Sequence, residues 1–403
     1  MNIVADIRCL TDKQRTGVGE YTYELLNSLF KTDTQNQYFL FYNSYKDVSH
    51  IVPKWEQGNV HYVATHFPNK LLNLFVWLGF VKLDSFVERK LKIKRLKDFK
   101  DNGTMGQWDN QSVDYFFSPN LNFISLSKKV KFILTVHDLS FLYFKDCFTW
   151  KQQLKHWLVG PKRLCKRADM ILAPSENTKR DVVESFNVGN EKVVVCYPGI
   201  SSLFMGRGTS LPAQTGDVGR GEFIRKKYNL PHKFILYLGT LEPRKNVDNL
   251  VEAFSTSSIL NLESCNLVIA GAQGWKSKKL LEKIKKTPGI RYIEYIDAED
   301  KPFLYSLASL FVYPSLYEGF GFPVLEAMAS GVPVLTSNRS SLPEVVGSAA
   351  YLVNPINVFE IEKGIIMLLK DHELRKLLVE SGTQKTCEFS WEETAKKFLS
   401  LLS

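Results

Sequence analysis

The sequence predicts an α/β protein built from two Rossmann-like domains that face each other across a cleft. Short β-rich segments alternate with helical patterns along the 403 residues, which is typical of parallel sheets built from βαβ units. One segment, Met205–Glu222, is rich in Gly, Ser, Thr and Pro, and it interrupts this alternation near the middle of the chain. A chain of this length is also expected to form two or three domains.

The domain boundaries are placed at this interruption. The first domain is expected to cover residues 1–200, a linker residues 201–232, and the second domain residues 233–385. The closing segment, residues 386–403, has helical periodicity from Trp391 to Leu402 and is a candidate to pack back on the first domain.

Runs of β-branched and aromatic residues predict the strands. In the first domain these are Asn2–Ile7, Tyr38–Tyr42, Val60–Ala64, Tyr115–Phe117, Phe132–Val136, Met170–Ala173 and Val193–Cys196. In the second domain they are Phe234–Leu238, Leu267–Ala270, Tyr292–Tyr295, Leu310–Tyr313, Val334–Ser337 and Ala350–Val353. Helices are predicted over Glu20–Phe30 and around Trp150–Arg167.

The composition is that of a globular protein, with 44% hydrophobic and 23% charged residues. No apolar run approaches the roughly 18 residues that a membrane-spanning helix needs. The N-terminus carries Asp6 inside its apolar stretch and no basic segment, which argues against a signal peptide and predicts a cytoplasmic protein. Six scattered cysteines without a C-x-x-C pair are expected to be buried, reduced side chains.

The net charge of +10 favours an anionic partner. Between Lys70 and Lys100 there are nine Lys or Arg residues against three Asp or Glu, and apolar residues crowd the start of this stretch. Two interpretations of Leu71–Lys100 remain open: a helix lying on the inner face of the anionic cytoplasmic membrane, and an amphipathic helix packed on its own domain. Nucleic acid is not an expected partner, because no helix-turn-helix, RNP or zinc pattern occurs.

The first glycine-rich turn places Gly17 and Gly19 between a predicted strand and a predicted helix. The backbone of such a turn can approach a phosphate, and the helix N-terminus offers free N–H groups. Thr22 breaks the G-x-G-x-x-G fingerprint, which counts against a remote alternative, an NAD-dependent oxidoreductase. A purely structural turn remains an alternative for these glycines.

The second pattern runs from Glu318 to Pro333. Pro323 suits the first position of a helix, so Gly319 and Gly321 are expected in a loop that leads into a helix N-terminus. Glu326 is expected in the first turn of that helix, where it would accept hydrogen bonds from sugar or ribose hydroxyls, although the helix dipole alone also favours an acid there. Glu318 is expected to point into the cleft between the domains.

The third pattern is the loop Gly239–Asn246 after the first strand of the second domain. Its adjacent cations, Arg244 and Lys245, suit a leaving diphosphate whose negative charge grows during the reaction. The alternative is a solvated pair of surface cations.

The segment E-G-F-G-F-P-V-L-E, from Glu318 to Glu326, resembles the E-x7-E motif of retaining glycosyltransferases of family 4, which have the GT-B fold. The resemblance covers most of the chain. It includes Gly17–Gly19, His137-Asp138-Leu139, Ala173-Pro174-Ser175, Tyr197–Ile200, Gly239–Asn246, Ala270-Gly271 and Ser341-Leu342-Pro343-Glu344.

This resemblance implies a nucleotide held mainly by the second domain. Glu326 would bind the ribose, and Arg244 and Lys245 would bind the diphosphate beside Gly239 and Thr240. The predicted site residues that would face the sugar or the phosphates are Glu318, Gly319, Phe320, Gly321, His137, Gly17 and Gly19. Base contacts would come from loops around Ala270–Gly274 and Asp297–Pro302. Many relatives have Arg where this chain has Thr240, which leaves more of the phosphate binding to Arg244 and Lys245.

The resemblance also implies the reaction. A hexose would pass with retention from a nucleotide-diphosphate sugar to a glycan or a polyprenyl-diphosphate-linked acceptor, and similarity to bacterial mannosyltransferases of surface-polysaccharide assembly favours GDP-mannose. No cofactor is expected, and the absence of a D-x-D sequence predicts a metal-independent reaction. A GT-B sugar-nucleotide epimerase and an inactive glycosyltransferase-like subunit remain the nearer alternatives.

Overall fold

The computed structural model describes residues 1–12, 14–102, 112–204, 217–255 and 265–402, without the side chains of residues 93–102 and 217–218. Most of the interrupting segment, residues 205–216, therefore lies outside the described residues. So do the side chains at the basic end of Leu71–Lys100.

The first domain contains a parallel sheet of seven strands in the described residues, in the order β3-β2-β1-β4-β5-β6-β7. The strands are β1 Asn2–Asp6, β2 Gln37–Asn43, β3 Val60–Thr65, β4 Tyr115–Ser118, β5 Lys131–Thr135, β6 Met170–Ala173 and β7 Val193–Val195. The helices of this domain are α1 Gly17–Thr32, α2 Asn69–Trp77, α3 Leu83–Asn102, α4 Ser140–Tyr143, α5 Trp150–Val159, α6 Pro161–Arg167 and α7 Glu176–Phe186.

The second domain contains a parallel sheet of six described strands, in the order β10-β9-β8-β11-β12-β13. The strands are β8 Phe234–Leu238, β9 Asn266–Ala270, β10 Ile290–Ile293, β11 Leu310–Tyr313, β12 Val334–Ser337 and β13 Tyr351–Val353. The helices are α8 Asp217–Lys227, α9 Val247–Phe254, α10 Lys278–Lys286, α11 Lys301–Ser306, α12 Phe322–Ala329, α13 Leu342–Val346, α14 Val358–Lys370, α15 His372–Thr386 and α16 Trp391–Ser400.

Both sheets confirm the predicted fold class, because every predicted strand is present in a parallel order. The central strands are continuous apolar runs, such as β8 and β11, in which every residue is buried. Strands of this kind require helices on both faces of the sheet. Each sheet therefore lies inside its own hydrophobic core.

The predicted helix around Trp150–Arg167 is wrong as a single element, because it divides into α5 and α6. Gly160 takes a left-handed conformation with φ of 66° and ends α5, and Pro161 then begins α6. The stretch Leu71–Lys100 likewise contains two helices, α2 and α3, separated by a turn at Gly79 with φ of 80°.

The predicted linker, residues 201–232, contains helix α8, which belongs to the packing of the second domain. Ile224 is fully buried, and Arg220 lies 3.1 Å from the carboxylate of Asp300. At the other end of the chain, α16 packs on α1 of the first domain, where Trp391 and Phe398 enter the core of the first sheet. Across the described parts of the chain, none of the helices combines the length and apolarity needed to span a bilayer.

Candidate active site

The carboxyl ends of β5 and β11 meet where the two domains come together. The loop after β11 approaches the loop after β5 so closely that a Cβ atom on Gly319 would lie 1.8 Å from the carbonyl oxygen of His137. Only a glycine fits this approach. Ligands of open α/β sheets bind outside the carboxyl ends of the strands, so this contact locates the candidate site.

A buried ionic cluster forms on the second-domain side of this contact. The carboxylate of Glu318 accepts a hydrogen bond from Lys245 Nζ at 2.6 Å and one from Arg244 at 3.2 Å. The Tyr313 hydroxyl donates to the same carboxylate at 3.0 Å. Arg244 also donates to Glu242 at 2.6 Å. Two carboxylates and two cations thus share one site.

The cluster fixes the protonation state of Glu318, whose side chain is 9% exposed. Burial by itself would raise the pKa of Glu318, but the charges of Lys245 and Arg244 outweigh that effect and lower it to about 2. Burial lowers the pKa of Lys245, and Glu318 opposes this shift. Glu318 is therefore a carboxylate at neutral pH, with its charge held next to two cations.

The structure brings together three of the residues that the sequence assigned to the site, although their arrangement differs from the expectation. Glu318 does not point alone into the cleft, since its carboxylate is bound to Lys245 and Arg244. These cations are largely buried, with 13% and 11% of their side chains exposed, so the alternative of a solvated surface pair is wrong. The sequence does not predict the roles of Glu242 and Tyr313, although the first lies in the same loop and the second ends β11.

Helix α12 begins one residue earlier than expected. Gly321, with φ of 120°, is its N-cap, so Pro323 is the second helical residue and Glu326 the fifth. The prediction that Glu326 lies in the first turn is therefore wrong, and the dipole explanation for an acid in that turn does not apply. Glu326 accepts a hydrogen bond from the hydroxyl of Tyr305 at 2.9 Å, and burial raises the pKa of its carboxyl.

Three further predicted residues have different surroundings. The side chain of Phe320 is buried between the rings of Phe322 and Phe389, so it serves packing and offers only its backbone to a ligand. Gly239 lies at the end of β8 and donates its N–H to the carbonyl of Ala270. Thr240 is exposed at the start of the loop that carries Arg244.

The first domain contributes less charge to the described site. Gly17 is exposed as the first residue of α1, and a Cβ there would meet nothing within 4 Å. Gly19 is buried, and its N–H is directed to the side chain of Thr16, the N-cap of α1. The first turn of α1 therefore still has backbone N–H groups that lack an acceptor within the helix.

His137 lies after β5 with its ring against the edge of Tyr21, at a centroid distance of 4.7 Å. Its Nε2 lies 2.7 Å from the carbonyl oxygen of Pro119. Burial lowers the pKa of His137, so its neutral form is favoured at neutral pH. The Nε2 atom of His137 is therefore already hydrogen-bonded within the first domain.

Polar contacts fasten the two domains beside the site. Ser175 and Thr178, at the start of α7, donate to the carbonyl oxygen of Gly319 at 2.7 and 3.1 Å. Glu344 of the second domain accepts the N–H groups of Glu176 and Asn177 at 2.7 and 3.1 Å. A carboxylate at a helix N-terminus is favoured by the free N–H groups and by the dipole. Glu344 belongs to a motif of the family resemblance, but the sequence predicts no role for it.

A second bridge crosses the cleft directly after Ala270–Gly274, one of the two loops predicted to contact the base. Trp275 donates its indole N–H to the carbonyl oxygen of Cys147, and its ring stacks on Phe148 at 5.6 Å. In the other predicted base loop, Asp297 and Asp300 are bound by Lys227 at 2.5 and 2.6 Å. The described residues contain no group of three or more His, Cys, Asp or Glu side chains suited to a metal ion.

Comparison with known proteins identifies relatives along the whole chain. Residues 221–385 match the family model of glycosyl transferases group 1, and residues 110–202 match that of glycosyltransferase family 4. The chain is 30% identical to the O-antigen chain mannosyltransferase B of Escherichia coli over 386 residues, which are 94% of this chain and 93% of that protein.

Two other proteins are covered by the alignment to very different extents of their own length. The chain is 30% identical over 270 residues to the serotype-specific mannosyltransferase WbdA of Escherichia coli, which is 66% of this chain but only 32% of that relative. The crystal structure of Anabaena HepE in complex with UDP and glucose has a TM-score of 0.67 and 14% identity, and the alignment covers 100% of this chain and 99% of that chain. The last similarity concerns the fold alone.

Proposed function

The chain belongs to the glycosyltransferases of family 4, the group 1 glycosyl transferases, and from this premise we propose that it is a retaining mannosyltransferase. Its donor in this proposal is GDP-mannose, and its acceptor is a glycan or a polyprenyl-diphosphate-linked glycan. The mannosyltransferase relatives support the choice of sugar. The observation that carries the assignment of the site is the buried cluster of Glu242, Arg244, Lys245 and Glu318.

Arg244 and Lys245 would bind the diphosphate of the donor. Both are held in place by carboxylates before any ligand arrives, so they need little reorganisation when charge develops on the leaving group. The Nε of Arg244 is buried and has no hydrogen-bond partner among the described residues. A buried donor without an acceptor is costly, and a phosphate oxygen would satisfy it.

The reaction breaks the bond between the anomeric carbon of mannose and the diphosphate oxygen. The acceptor oxygen forms a new bond to that carbon on the same face, and the departing phosphate takes the proton of the acceptor hydroxyl. Positive charge grows on the sugar ring as the bond breaks. In this mechanism the carboxylate of Glu318 supports that charge, since its depressed pKa keeps it ionised.

Glu326 would accept hydrogen bonds from the ribose hydroxyls. Its carboxylate is oriented by the Tyr305 hydroxyl, which binds one of its two oxygens. The backbone of Gly17 and Gly19 would complete the phosphate site from the first domain. The two cations and the helix N-termini would stabilise the leaving diphosphate without a metal ion.

The proposed location is the inner face of the cytoplasmic membrane. The exposed apolar residues at the start of Leu71–Lys100 support a peripheral contact, namely Leu71, Leu74, Phe75, Leu78 and Phe80. Leu72 and Val76 of α2 are buried in the first domain, so this helix is amphipathic. An amphipathic helix is compatible with both interpretations of the stretch, packing on its own domain and contact with a membrane. Loss of vesicle binding on neutralising Lys90, Lys92, Lys94 and Arg95 would favour the membrane, and unchanged binding would exclude this stretch.

The test is nucleotide release from a panel of GDP-, UDP-, ADP- and dTDP-sugars in the presence of EDTA and without acceptor. We expect slow release from GDP-mannose alone, and its loss in Glu318→Gln. Silence across the panel, with no nucleotide diphosphate raising the melting temperature, would contradict the proposal and favour an inactive scaffold. Release that requires added Mg²⁺ would overturn metal independence. Interconversion of the sugar nucleotide without transfer would favour an epimerase.

A further inference from the structure

Helix α5 carries an apolar stripe that faces away from the protein. Trp150, Leu154 and Trp157 are 68%, 43% and 73% exposed. Their spacing of four and three residues places them on one side of the helix. Tryptophan is usually well buried in folded domains, so two exposed indoles on one helical face mark a surface that meets another apolar phase.

The fold does not need this stripe. The opposite side of α5 packs on the first domain, where His156 stacks on Phe141 at 4.4 Å and Val159 is buried. Thr149 and Gln152 close a capping box at the start of the helix. The helix is therefore fixed by its inner face and its ends, while the exposed rings face solvent and Lys151 Nζ lies 5.7 Å from the ring centre of Trp150.

The surroundings of the stripe are basic. Residues 147–168 contain six Lys or Arg and no Asp or Glu. Five of these cations are exposed, two on α5 and three on the following helix α6, namely Lys151, Lys155, Lys162, Arg163 and Lys166. Tryptophan and leucine on one face with lysines beside them are the composition of a helix that lies in the interface of an anionic bilayer.

The stripe also lies next to the cleft. Phe148, two residues before Trp150, stacks on Trp275 of the second domain, and Cys147 accepts the hydrogen bond from that indole. A surface bound at α5 would therefore be close to the opening between the domains. This is the position that a lipid-linked acceptor requires.

We propose that α5, with the basic start of α6, docks the enzyme on an anionic lipid bilayer through Trp150, Leu154 and Trp157. The indoles enter the headgroup region, and the lysines contact the anionic headgroups. The residues of this surface lie in a part of the sequence different from the stretch Leu71–Lys100. The inference rests on the proposed function in one respect only, which is that a lipid-linked acceptor gives the docking a purpose.

The experiment measures sedimentation of the full-length chain with vesicles of phosphatidylethanolamine and phosphatidylglycerol, and with vesicles of phosphatidylcholine alone. The test variant is Trp150→Ser with Trp157→Ser. Its matched control is Phe359→Ser, which removes a ring that is 67% exposed on α14 of the second domain. A charge variant, Lys151→Gln with Lys155→Gln, is compared with Lys278→Gln plus Lys279→Gln on α10.

We expect the double tryptophan variant to lower partitioning on anionic vesicles by about tenfold or more, because two large apolar side chains no longer leave water. The charge variant should lower binding to anionic vesicles by about 25-fold, since it removes two cations and each cation near the surface contributes about as much as a fivefold change. Both controls should bind as the unmodified chain does. In Trp150→Phe with Trp157→Phe, binding should persist while quenching of tryptophan emission by brominated lipid decreases.

Unchanged partitioning of the double tryptophan variant would overturn the proposal, as would equal loss in Phe359→Ser. A concentration-dependent dimer that the tryptophan variant abolishes, without an effect on vesicles, would also overturn it and assign the stripe to a second copy of the chain. Nucleotide release from the donor, measured without vesicles, distinguishes failure of the docking proposal from failure of the proposed function. The rate of release should be equal in the unmodified chain and the tryptophan variant. No release from either protein would count against the transferase and not against the docking.

Discussion

The two halves of the cleft are built differently. The second domain contributes a buried cluster of paired charges, in which Lys245 and Arg244 are bound to Glu318 within 3.2 Å. The first domain contributes mainly backbone and neutral groups, such as the exposed Gly17 and a His137 that is bound to Pro119, together with one carboxylate, Asp138, whose charge acts on Arg244. An anionic donor is therefore expected to derive most of its binding from the second domain, and the first domain to complete the site when the halves meet.

This difference has a physical origin. Charges held in a dry site by hydrogen bonds act at full strength on a developing anion and need no rearrangement. A glycine turn offers N–H groups and a helix dipole, whose contribution is smaller and falls off within one turn. The following four substitutions test the difference between the halves, in order of expected effect.

Glu318→Gln should lower kcat by about 10²- to 10³-fold, because it removes the charge that supports the sugar in the transition state. GDP affinity should change only a few fold, since both cations remain. Steady-state kinetics with calorimetric titration of GDP separate the two quantities. Equal losses of kcat and affinity would contradict the proposed role, and Tyr313→Phe is the control that removes a neighbouring hydroxyl and no charge.

Glu318→Gln should also change how the free energy of unfolding depends on pH. The folded pKa of Glu318 is about 2 and its ordinary value is 4.5, so its ionised form contributes stability that is present above about pH 4.5 and lost as the pH falls towards 2. The free energy of unfolding should therefore depend less on pH across this window in Glu318→Gln. Identical slopes in the two proteins would show that the carboxylate is not held as described.

Lys245→Met should weaken GDP binding by about 10- to 100-fold, because it removes a charge-assisted hydrogen bond to the diphosphate. Guanosine, which has no phosphate, should show no such difference, and titration of both ligands makes the comparison. The control is Lys283→Met on α10, whose ion pair with Glu252 is exposed. An equal loss for guanosine would indicate that the substitution disturbs the domain and not the phosphate site.

Glu326→Gln should weaken GDP binding by about tenfold, since the amide accepts hydrogen bonds from the ribose less well than a carboxylate. The effect should disappear with 2′,3′-dideoxy-GDP, which lacks the hydroxyls. Tyr305→Phe keeps the carboxylate and removes its oriented hydrogen bond, so it should show a smaller loss. A tenfold loss that persists for the dideoxy nucleotide would exclude the ribose as the partner of Glu326.

Gly17→Ala should change GDP affinity and kcat by less than about threefold, because a methyl group there meets no atom within 4 Å and α1 contributes only its N-terminus. Thermal unfolding should likewise be unchanged, and Gly58→Ala, at another open position, is the control. A hundredfold loss would place the main phosphate site in the first domain and reverse the comparison.

The sequence predicts the fold better than the site. The strands are readable because parallel strands buried on both faces are continuous apolar runs, as in β8 and β11. The prediction of one helix over Trp150–Arg167 does not separate α5 from α6, although Gly160 and Pro161 signal the division. The start of α12 was misplaced by one residue, because the positive φ of Gly321 sets it.

The sequence predicts which residues of the candidate site lie close together, but it does not predict their hydrogen-bond partners. Motif spacing locates Glu318 and Lys245 at strand ends, yet it cannot show that the carboxylate turns onto the cations. Glu344 takes its role from a contact between segments far apart in the chain, at the N-terminus of α7, whereas Glu242 pairs with Arg244 two residues along the same loop. The resemblance places Phe320 among the residues that would face the sugar or the phosphates, while its ring lies in the core.

The most direct test of the central claim is hydrogen–deuterium exchange of the full-length chain with and without GDP. We predict protection of the backbone in Gly239–Asn246 and in α12, with little change at Gly17–Glu20, because the nucleotide is held by the charged half of the cleft. Protection centred on Gly17–Glu20, with exchange in Gly239–Asn246 unaltered, would contradict this account.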